Sequence, residues 1–216
     1  MISLSELKQH VETAFEKAVK GESKLTDKIL KMEGMSGKKT RHLYNNLLNK
    51  DGIRYLEIGS WKGSSACSAM YGNRAEVFCI DNWSQFSGPK SEFYRNFNTY
   101  RGENSAQFLE QDCFTVDVTQ LPKFNIYLYD GDHARVSHYN ALIHYYECLD
   151  DIFIYIVDDW NWKDVRDGTY ESFKQLNVSV LYEKELKTTD DDTHPPWGSE
   201  KQQDWHNGTY IAILQK

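Results

Sequence analysis

The sequence has no excess of positive charge, no long apolar run and no paired cysteines, and each deficit removes a class of function. Lysine and arginine number 25 against 32 aspartates and glutamates, a formal net charge of −7, and the pI is near 5.5. Such a chain offers no positive field to a phosphate backbone or an anionic lipid surface. No nucleic-acid or membrane partner is therefore expected, and a small neutral or cationic substrate fits better. The longest strongly apolar run, IFIYIV from Ile152 to Val157, is far too short to span a bilayer. The N-terminal stretch MISLSELKQHVETAFEK is charged throughout, unlike an export signal, so the expected compartment is the cytoplasm. Cys67, Cys79, Cys113 and Cys148 stand far apart with no C-x-x-C pair, and they read as reduced core thiols rather than as a zinc site or a disulfide frame. Repeats and low-complexity linkers are also missing. With 216 residues and 40% hydrophobic content the chain can bury one sizeable core. A single domain over 1–216 is expected, with helices in 1–50 and an α/β core over 51–216.

What is present begins with helical periodicity. Leu4, Leu7, Val11, Phe15 and Ala18 recur at helical spacing over 3–19, and Ser3 with Glu6 forms a capping-box pattern. A second helix is expected around 22–33, carrying Leu25, Ile29 and Leu30. A third should follow EGMSGK, burying Leu43, Leu47 and Leu48 and ending near NKDG. From Ile53 the pattern changes to short apolar runs separated by helical stretches: IRYLEIG, EVFCID, QFLEQD, FNIYLYD and DIFIYIVDD. Runs that each close on an acid or a glycine and alternate with helices indicate a mainly parallel sheet covered on both faces, a Rossmann-like doubly wound α/β fold. The tail differs. NVSVLYEKEL and GTYIAILQK are strand-like, and no helix is expected in the loop 188–208 between them. They should pair antiparallel and close a seven-stranded sheet. A loop of that length is too long for a plain hairpin turn and is usually functional or disordered.

The stretch YLEIGSWKGSS, residues 55–65, places an acid and two glycines where the first strand runs into a helix. In an open α/β sheet, ligands bind outside the carboxyl ends of the strands. Gly59 and Gly63 allow a tight turn and a close backbone approach to a ligand, and the helix that follows turns free N–H groups toward the same crevice. Glu57, Gly59, Ser60, Gly63 and Ser64 are therefore candidate cofactor residues. The spacing E-x-G-x-x-x-G lacks the G-x-G-x-x-G of pyrophosphate-binding dehydrogenases, so a nucleoside without pyrophosphate is favoured. Asp81 ends the second strand, placed to accept bonds from both ribose hydroxyls, with Asn82 and Trp83 beside it. Asp112 and Cys113 end the third, where the Asp112 carboxylate can accept from an exocyclic adenine amine.

This combination resembles the class I S-adenosylmethionine-dependent methyltransferases, whose sheet also closes with an antiparallel hairpin. The resemblance covers about residues 35–216 and implies S-adenosyl-L-methionine as cofactor. MEGMSGKK resembles the segment that closes over the methionine end of that cofactor, which would place Met35 and Ser36 there.

The fourth strand ends in YDGDH and the fifth in VDDW. Asp130, Asp132, Asp158 and Asp159 are thus expected at one edge of the sheet, on strands about 4.8 Å apart. Like charges that close either take up protons or are neutralised by a divalent cation, and oxygen ligands favour Mg²⁺, then Mn²⁺ or Ca²⁺. Taken singly, Asp-Gly and Asp-Asp are ordinary turn and N-cap residues. Their coincidence beside the cofactor crevice favours the metal. DGDH followed by DD resembles the metal-dependent O-methyltransferases, the catechol and caffeoyl-CoA group and still more the macrocin and mycinamicin sugar group. That resemblance implies Mg²⁺ on Asp130, Asp158 and Asp159, with His133 as general base where the catechol type carries Lys. Asp132 receives no role from it, and His138 and His144 read as helix-face residues.

The expected activity is O-methyl transfer to a small-molecule hydroxyl, a sugar or glycoside first and a catechol-like phenol second. Trp160, Trp162, Trp197 and Trp205 are candidates for stacking on the acceptor, while Trp83, Phe86, Phe93 and Tyr94 flank the adenine, form an acceptor wall or pack against the sheet. Two other readings remain: a non-catalytic S-adenosylmethionine or nucleoside binder, and an NAD-dependent oxidoreductase, which the missing G-x-G-x-x-G disfavours. The amphipathic N-terminal helices could cover a neighbouring subunit as easily as their own core, so a homo-oligomer is compatible with the sequence.

Overall fold

In the computed structural model, which describes residues 3–216, Ser3 caps α1 (Leu4–Val19). Its hydroxyl accepts from Glu6 N–H while the Glu6 carboxylate accepts from the Ser3 backbone, the reciprocal capping box. The expected second helix is one turn, α2 (Asp27–Leu30). Side chains divert the backbone before it: Leu25 N–H donates to Ser23 Oγ, and Lys24 N–H to Asn45 Oδ1. Then come α3 (Lys38–Leu47), which buries Leu43 and Leu47, and β1 (Arg54–Ile58). The chain continues as α4 (Ser64–Met70), β2 (Glu76–Asp81), α5 (Lys90–Tyr100), β3 (Ser105–Glu110), β4 (Phe124–Tyr129), α6 (Arg135–Tyr145), β5 (Leu149–Asp158) and α7 (Lys163–Leu176). It ends with β6 (Ser179–Leu186), α8 (Glu200–Trp205) and β7 (Thr209–Gln215).

The loop 188–208 was expected to lack a helix, and α8 corrects that. Ser199 caps it by accepting from Gln202 N–H, so the serine with glutamine three residues on is a start signal of the same kind as at α1.

The seven strands lie in the order β3-β2-β1-β4-β5-β7-β6. The first five are parallel, and β7 runs antiparallel to both β5 and β6. Side chains alternate between two cores. On β5, Ile154 and Ile156 face the layer of α1, α3 and α4, whereas Phe153, Tyr155 and Val157 face α6 and α7. Each such fully buried large side chain contributes roughly 1.5–3 kcal/mol. Helices on both sides explain why these strands read as continuous apolar runs.

Register is what builds the site. Ile58 lies opposite Tyr129, and Tyr129 opposite Val157. The residues that leave β1, β4 and β5 therefore emerge level, at the carboxyl edge where strand order reverses between β1 and β4. Among the described residues no helix is long and apolar enough to cross a membrane.

Candidate functional site

A cavity of about 670 Å³ opens at that edge, a size that suits a nucleoside-sized ligand. Its floor is the turn after β1. Gly59 has φ +86°, and a Cβ there would lie 1.9 Å from the Asp130 carbonyl oxygen. The close approach that demands glycine is thus made by the Asp130 backbone, whose N–H donates to Ile58 O at 2.9 Å. Gly63, at φ +83°, fits against the Phe93 ring rather than against the cavity.

Glu57 does not line the cavity either. It is fully buried beneath it, accepting from the Tyr55 hydroxyl at 2.6 Å and from Ser65 Oγ at 2.9 Å. Burial raises its pKa against the pull of these bonds. Its role here is to anchor Ser65, which does face the cavity. The other proposed cofactor positions are gathered on the lining. Ser60 and Ser64 come from the turn and α4, Met35 and Ser36 from the segment before α3. Asp81, Asn82 and Trp83 come from the end of β2, Asp112 and Cys113 from beyond β3. Asp81 is held by two backbone donors, Trp61 N–H on Oδ2 at 2.8 Å and Trp83 N–H on Oδ1 at 2.6 Å. Each oxygen keeps acceptor capacity for a hydroxyl. Asp112 accepts from Phe114 N–H at 2.9 Å and caps the short turn Cys113–Thr115.

At the tips of β4 and β5, atoms of Asp130, His133 and Asp159 come within 4.8 Å of one another, in an arrangement able to hold a metal ion. Asp158 and Asp159 are buried, and one oxygen of each, with His133 Nδ1, has no hydrogen-bond partner. Burial, then the charges of Asp158 and Asp159, push the Asp130 carboxyl far above the usual range; burial and Asp159 do the same to Asp158. Asp159, at φ +55°, behaves oppositely. Burial would raise it, but His133 Nε2, 2.9 Å from its Oδ2, holds it below the ordinary value. Burial opposes the His133 cation in turn, yet the bond to Asp159 and the charges of Asp159, Asp158 and Asp132 raise its pKa. Of the expected metal triad, Asp130 and Asp159 belong to the group that could hold an ion and Asp158 does not; His133 stands in its place, and is itself bonded to Asp159.

Asp132 accepts from Ala134 N–H at 3.3 Å and Ser137 Oγ at 2.5 Å, a turn role, since the N-cap of α6 is Ala134 and carries no side-chain cap bond. His138, expected on a helix face, is fully buried with neither nitrogen bonded, its ring 6.2 Å from that of His133 and edge-on to Tyr129. His144 Nε2–H donates to Val116 O at 3.0 Å, and the ring is half-buried on α6.

Of the four tryptophans proposed for the acceptor, Trp162 and Trp197 line the cavity. Trp160 stacks on Tyr210 and Trp205 on Phe15, both inside the cores. Trp83 and Phe86 line the cavity, Phe93 is core, and Tyr94 packs edge-on against Phe108. Sequence reasoning missed Trp61, Tyr129 and two histidines of the long loop, His194 and His206. The histidines lie 3.5 Å apart at Nε2, and His194 stacks on Trp197. A His near each loop tryptophan was the available signal. Three exposed apolar side chains, Met35, Phe86 and Trp197, stand on this same lining. The lining holds six aspartates and no lysine or arginine.

No protein-family model matches this sequence, and no curated protein matches it. Solved structures do. TrmN from Thermus thermophilus shares 11% identity at TM-score 0.58, over 88% of this chain and 52% of that one, so this chain spans about half its length. The O-methyltransferase from Bacillus cereus, in complex with SAH, shares 13% identity at TM-score 0.56, over 100% of this chain and 93% of that one. The precorrin-6y C5,15-methyltransferase from Geobacter metallireducens GS-15 shares 14% identity at TM-score 0.55, over 89% and 92%. The fold is the Rossmann-like methyltransferase fold. Its marks are the mainly parallel seven-stranded sheet, the helices on both sides and the C-terminal antiparallel hairpin.

Proposed function

We propose that this protein is an S-adenosylmethionine-dependent O-methyltransferase that uses Mg²⁺ and acts on a hydroxyl of a small molecule. The observation that carries the reading is the meeting, in one cavity, of Asp81 at the tip of β2 with Asp130, His133, Asp158 and Asp159 at the tips of β4 and β5. Asp81 and Asp112 would take the adenosine, and the residues after β1 the remainder of the cofactor.

The acidic group fits a hard divalent cation. Its donors are carboxylate oxygens, two of them unpartnered and buried, and the repulsion that pushes Asp130 and Asp158 toward protonation is relieved by positive charge. Asp130, Asp158 and Asp159 would hold the ion. Bound there, a divalent cation supplies Lewis-acid polarisation of the acceptor oxygen. The chain's own residues do the rest. The cavity walls hold the acceptor oxygen in line with the sulfonium methyl. As the C–O bond forms, the C–S pair would return to sulfur, leaving S-adenosylhomocysteine, and the hydroxyl proton would pass to His133 at Nδ1, the nitrogen left with a lone pair when Nε2–H donates to Asp159. An aspartate-rich lining without a cationic side chain repels anionic acceptors such as phosphorylated compounds. Exposed Trp197 and Phe86 favour a ring, so a neutral or cationic ring-bearing hydroxyl compound, a sugar or glycoside before a phenol, is the preferred class.

The experiment is calorimetric titration with S-adenosylhomocysteine and NAD, followed by turnover assays with S-adenosylmethionine against sugar and catechol acceptors. S-adenosylhomocysteine should bind and NAD should not, and activity should vanish in excess EDTA and return with Mg²⁺. Binding of NAD alone rejects the methyltransferase reading, and full turnover in EDTA rejects the metal.

A further inference from the structure

Arg41, in the first turns of α3, is 3% exposed, and burial pushes its guanidinium pKa down to about 10. No ion pair among the described residues includes it. Buried charges are ordinarily paired. Its bonds go instead to neutral acceptors: Nη1 donates to Met32 O at 2.8 Å and Leu30 O at 3.3 Å, and Nε to Ser36 O at 3.2 Å and Ser36 Oγ at 3.0 Å. Ser36 Oγ is in turn 3.1 Å from Ser64 Oγ. The two serine hydroxyls have two protons between them. Ser36 Oγ already accepts from Arg41, and one proton serves the serine–serine bond. Whichever serine donates, one hydroxyl proton is left without a protein acceptor, and both serines line the cavity. The same cation stands close behind: a Cβ on Gly34 would lie 2.0 Å from Ser64 Oγ and 2.9 Å from Arg41 Nη2.

A proton donor backed by an uncompensated cation selects an anion, in a cavity that is otherwise acidic. Of the groups on the proposed cofactor, only the carboxylate of its amino-acid end is anionic. We propose that Arg41 is a positioning residue for that carboxylate, acting through Ser36 and Ser64, and so fixes which end of the cavity receives the methionine portion. This inference rests on the S-adenosylmethionine reading above.

The test uses the full chain and three probes: S-adenosylhomocysteine; S-adenosyl-3-thiopropylamine, which keeps the amine and lacks the carboxylate; and 5′-methylthioadenosine, which lacks both. Arg41→Met should weaken S-adenosylhomocysteine binding by about 10- to 100-fold, the range of one charge-assisted hydrogen bond, and leave the other two unchanged. Arg41→Lys should recover part of the loss. Ser36→Ala removes the relay with little risk to folding and should weaken S-adenosylhomocysteine alone by about tenfold. Equal weakening of all three probes, or unaltered S-adenosylhomocysteine affinity in both Arg41→Met and Ser36→Ala, overturns the role of Arg41. Failure of the unaltered protein to bind S-adenosylhomocysteine overturns the cofactor reading itself, and this inference with it.

Discussion

Nε2 of His133 lies 2.9 Å from Oδ2 of Asp159, which joins the turn leaving β4 to the turn leaving β5. Nδ1 of the same ring is buried without a partner. Nε2–H therefore donates to Asp159, the lone pair able to accept a proton is on Nδ1, and Asp159 fixes that tautomer and raises the basicity of the ring. His133→Ala should lower kcat by about 10²- to 10⁴-fold, the usual worth of a positioned general base. Affinity for S-adenosylhomocysteine should hold, because Asp81 and Asp112, the residues proposed to take the adenosine, are untouched. Wild-type kcat in this variant would remove His133 from the chemistry.

The strand tips were legible because each apolar run closes on its acid, and parallel pairing in register brings those acids level. The same reasoning, carried further, would have placed Glu57. Tyr55 and Glu57 are two apart on β1 and share one face, and Tyr55 belongs to the core under α1 and α3, so Glu57 must point into that layer and not out of the crevice. Residues 188–208 were legible only at the helix-start signal of Ser199 with Gln202. With Pro195, Pro196 and Gly198 between the strands, no local periodicity marks α8. Its position follows from tertiary contact, the Gly37 backbone lying so close to Asp204 and Trp205 that a Cβ would come within 2.5 Å of them. The brevity of α2 has the same origin, since Asn45 of α3 captures the Lys24 N–H.

Gly59→Ala tests how tightly the floor of the cavity is tied to the loop that begins at Asp130. The new Cβ would lie 1.9 Å from the Asp130 carbonyl oxygen and 2.5 Å from its carbon, both backbone atoms, at φ +86°. A loss on the order of 3 kcal/mol is expected, more than the roughly 1 kcal/mol of a positive-φ glycine alone. Gly52→Ala supplies that baseline, with φ +75° and nothing within 4 Å. Urea unfolding of both variants gives the comparison. Equal losses would mean that strain at φ, and not the Asp130 backbone, sets the requirement for glycine at 59.

Trp197 is 75% exposed, and its ring stacks on His194 at 4.6 Å beside the cavity. Removing so exposed a side chain should leave stability within about 0.5 kcal/mol. If its face receives the acceptor ring, Trp197→Ala should raise the acceptor KM by about 3- to 10-fold with kcat and S-adenosylhomocysteine affinity unchanged. An unchanged KM would place the acceptor elsewhere, against Phe86 or Trp162.

His138 is fully buried, neither ring nitrogen has a partner, and burial pushes its pKa down to about 3. The unfolded chain protonates at about 6.5, so the folded state binds fewer protons as pH falls. The contribution is therefore intact above pH 6.5 and is lost progressively below it, by about 2 kcal/mol at pH 5. Asp130 and Asp158 act in the opposite sense. Their raised pKa values mean that protonation relieves the folded state as pH falls, so the wild-type profile mixes both signs. His138→Leu isolates one of them, because it removes the titrating ring without breaking a hydrogen bond. The variant should lose less stability than wild type between pH 7 and pH 5, with the two urea-unfolding curves differing by about 2 kcal/mol at the acid end. Parallel curves would show that His138 finds a proton-stabilising partner in the folded protein, against its enclosure between Tyr129 and His133.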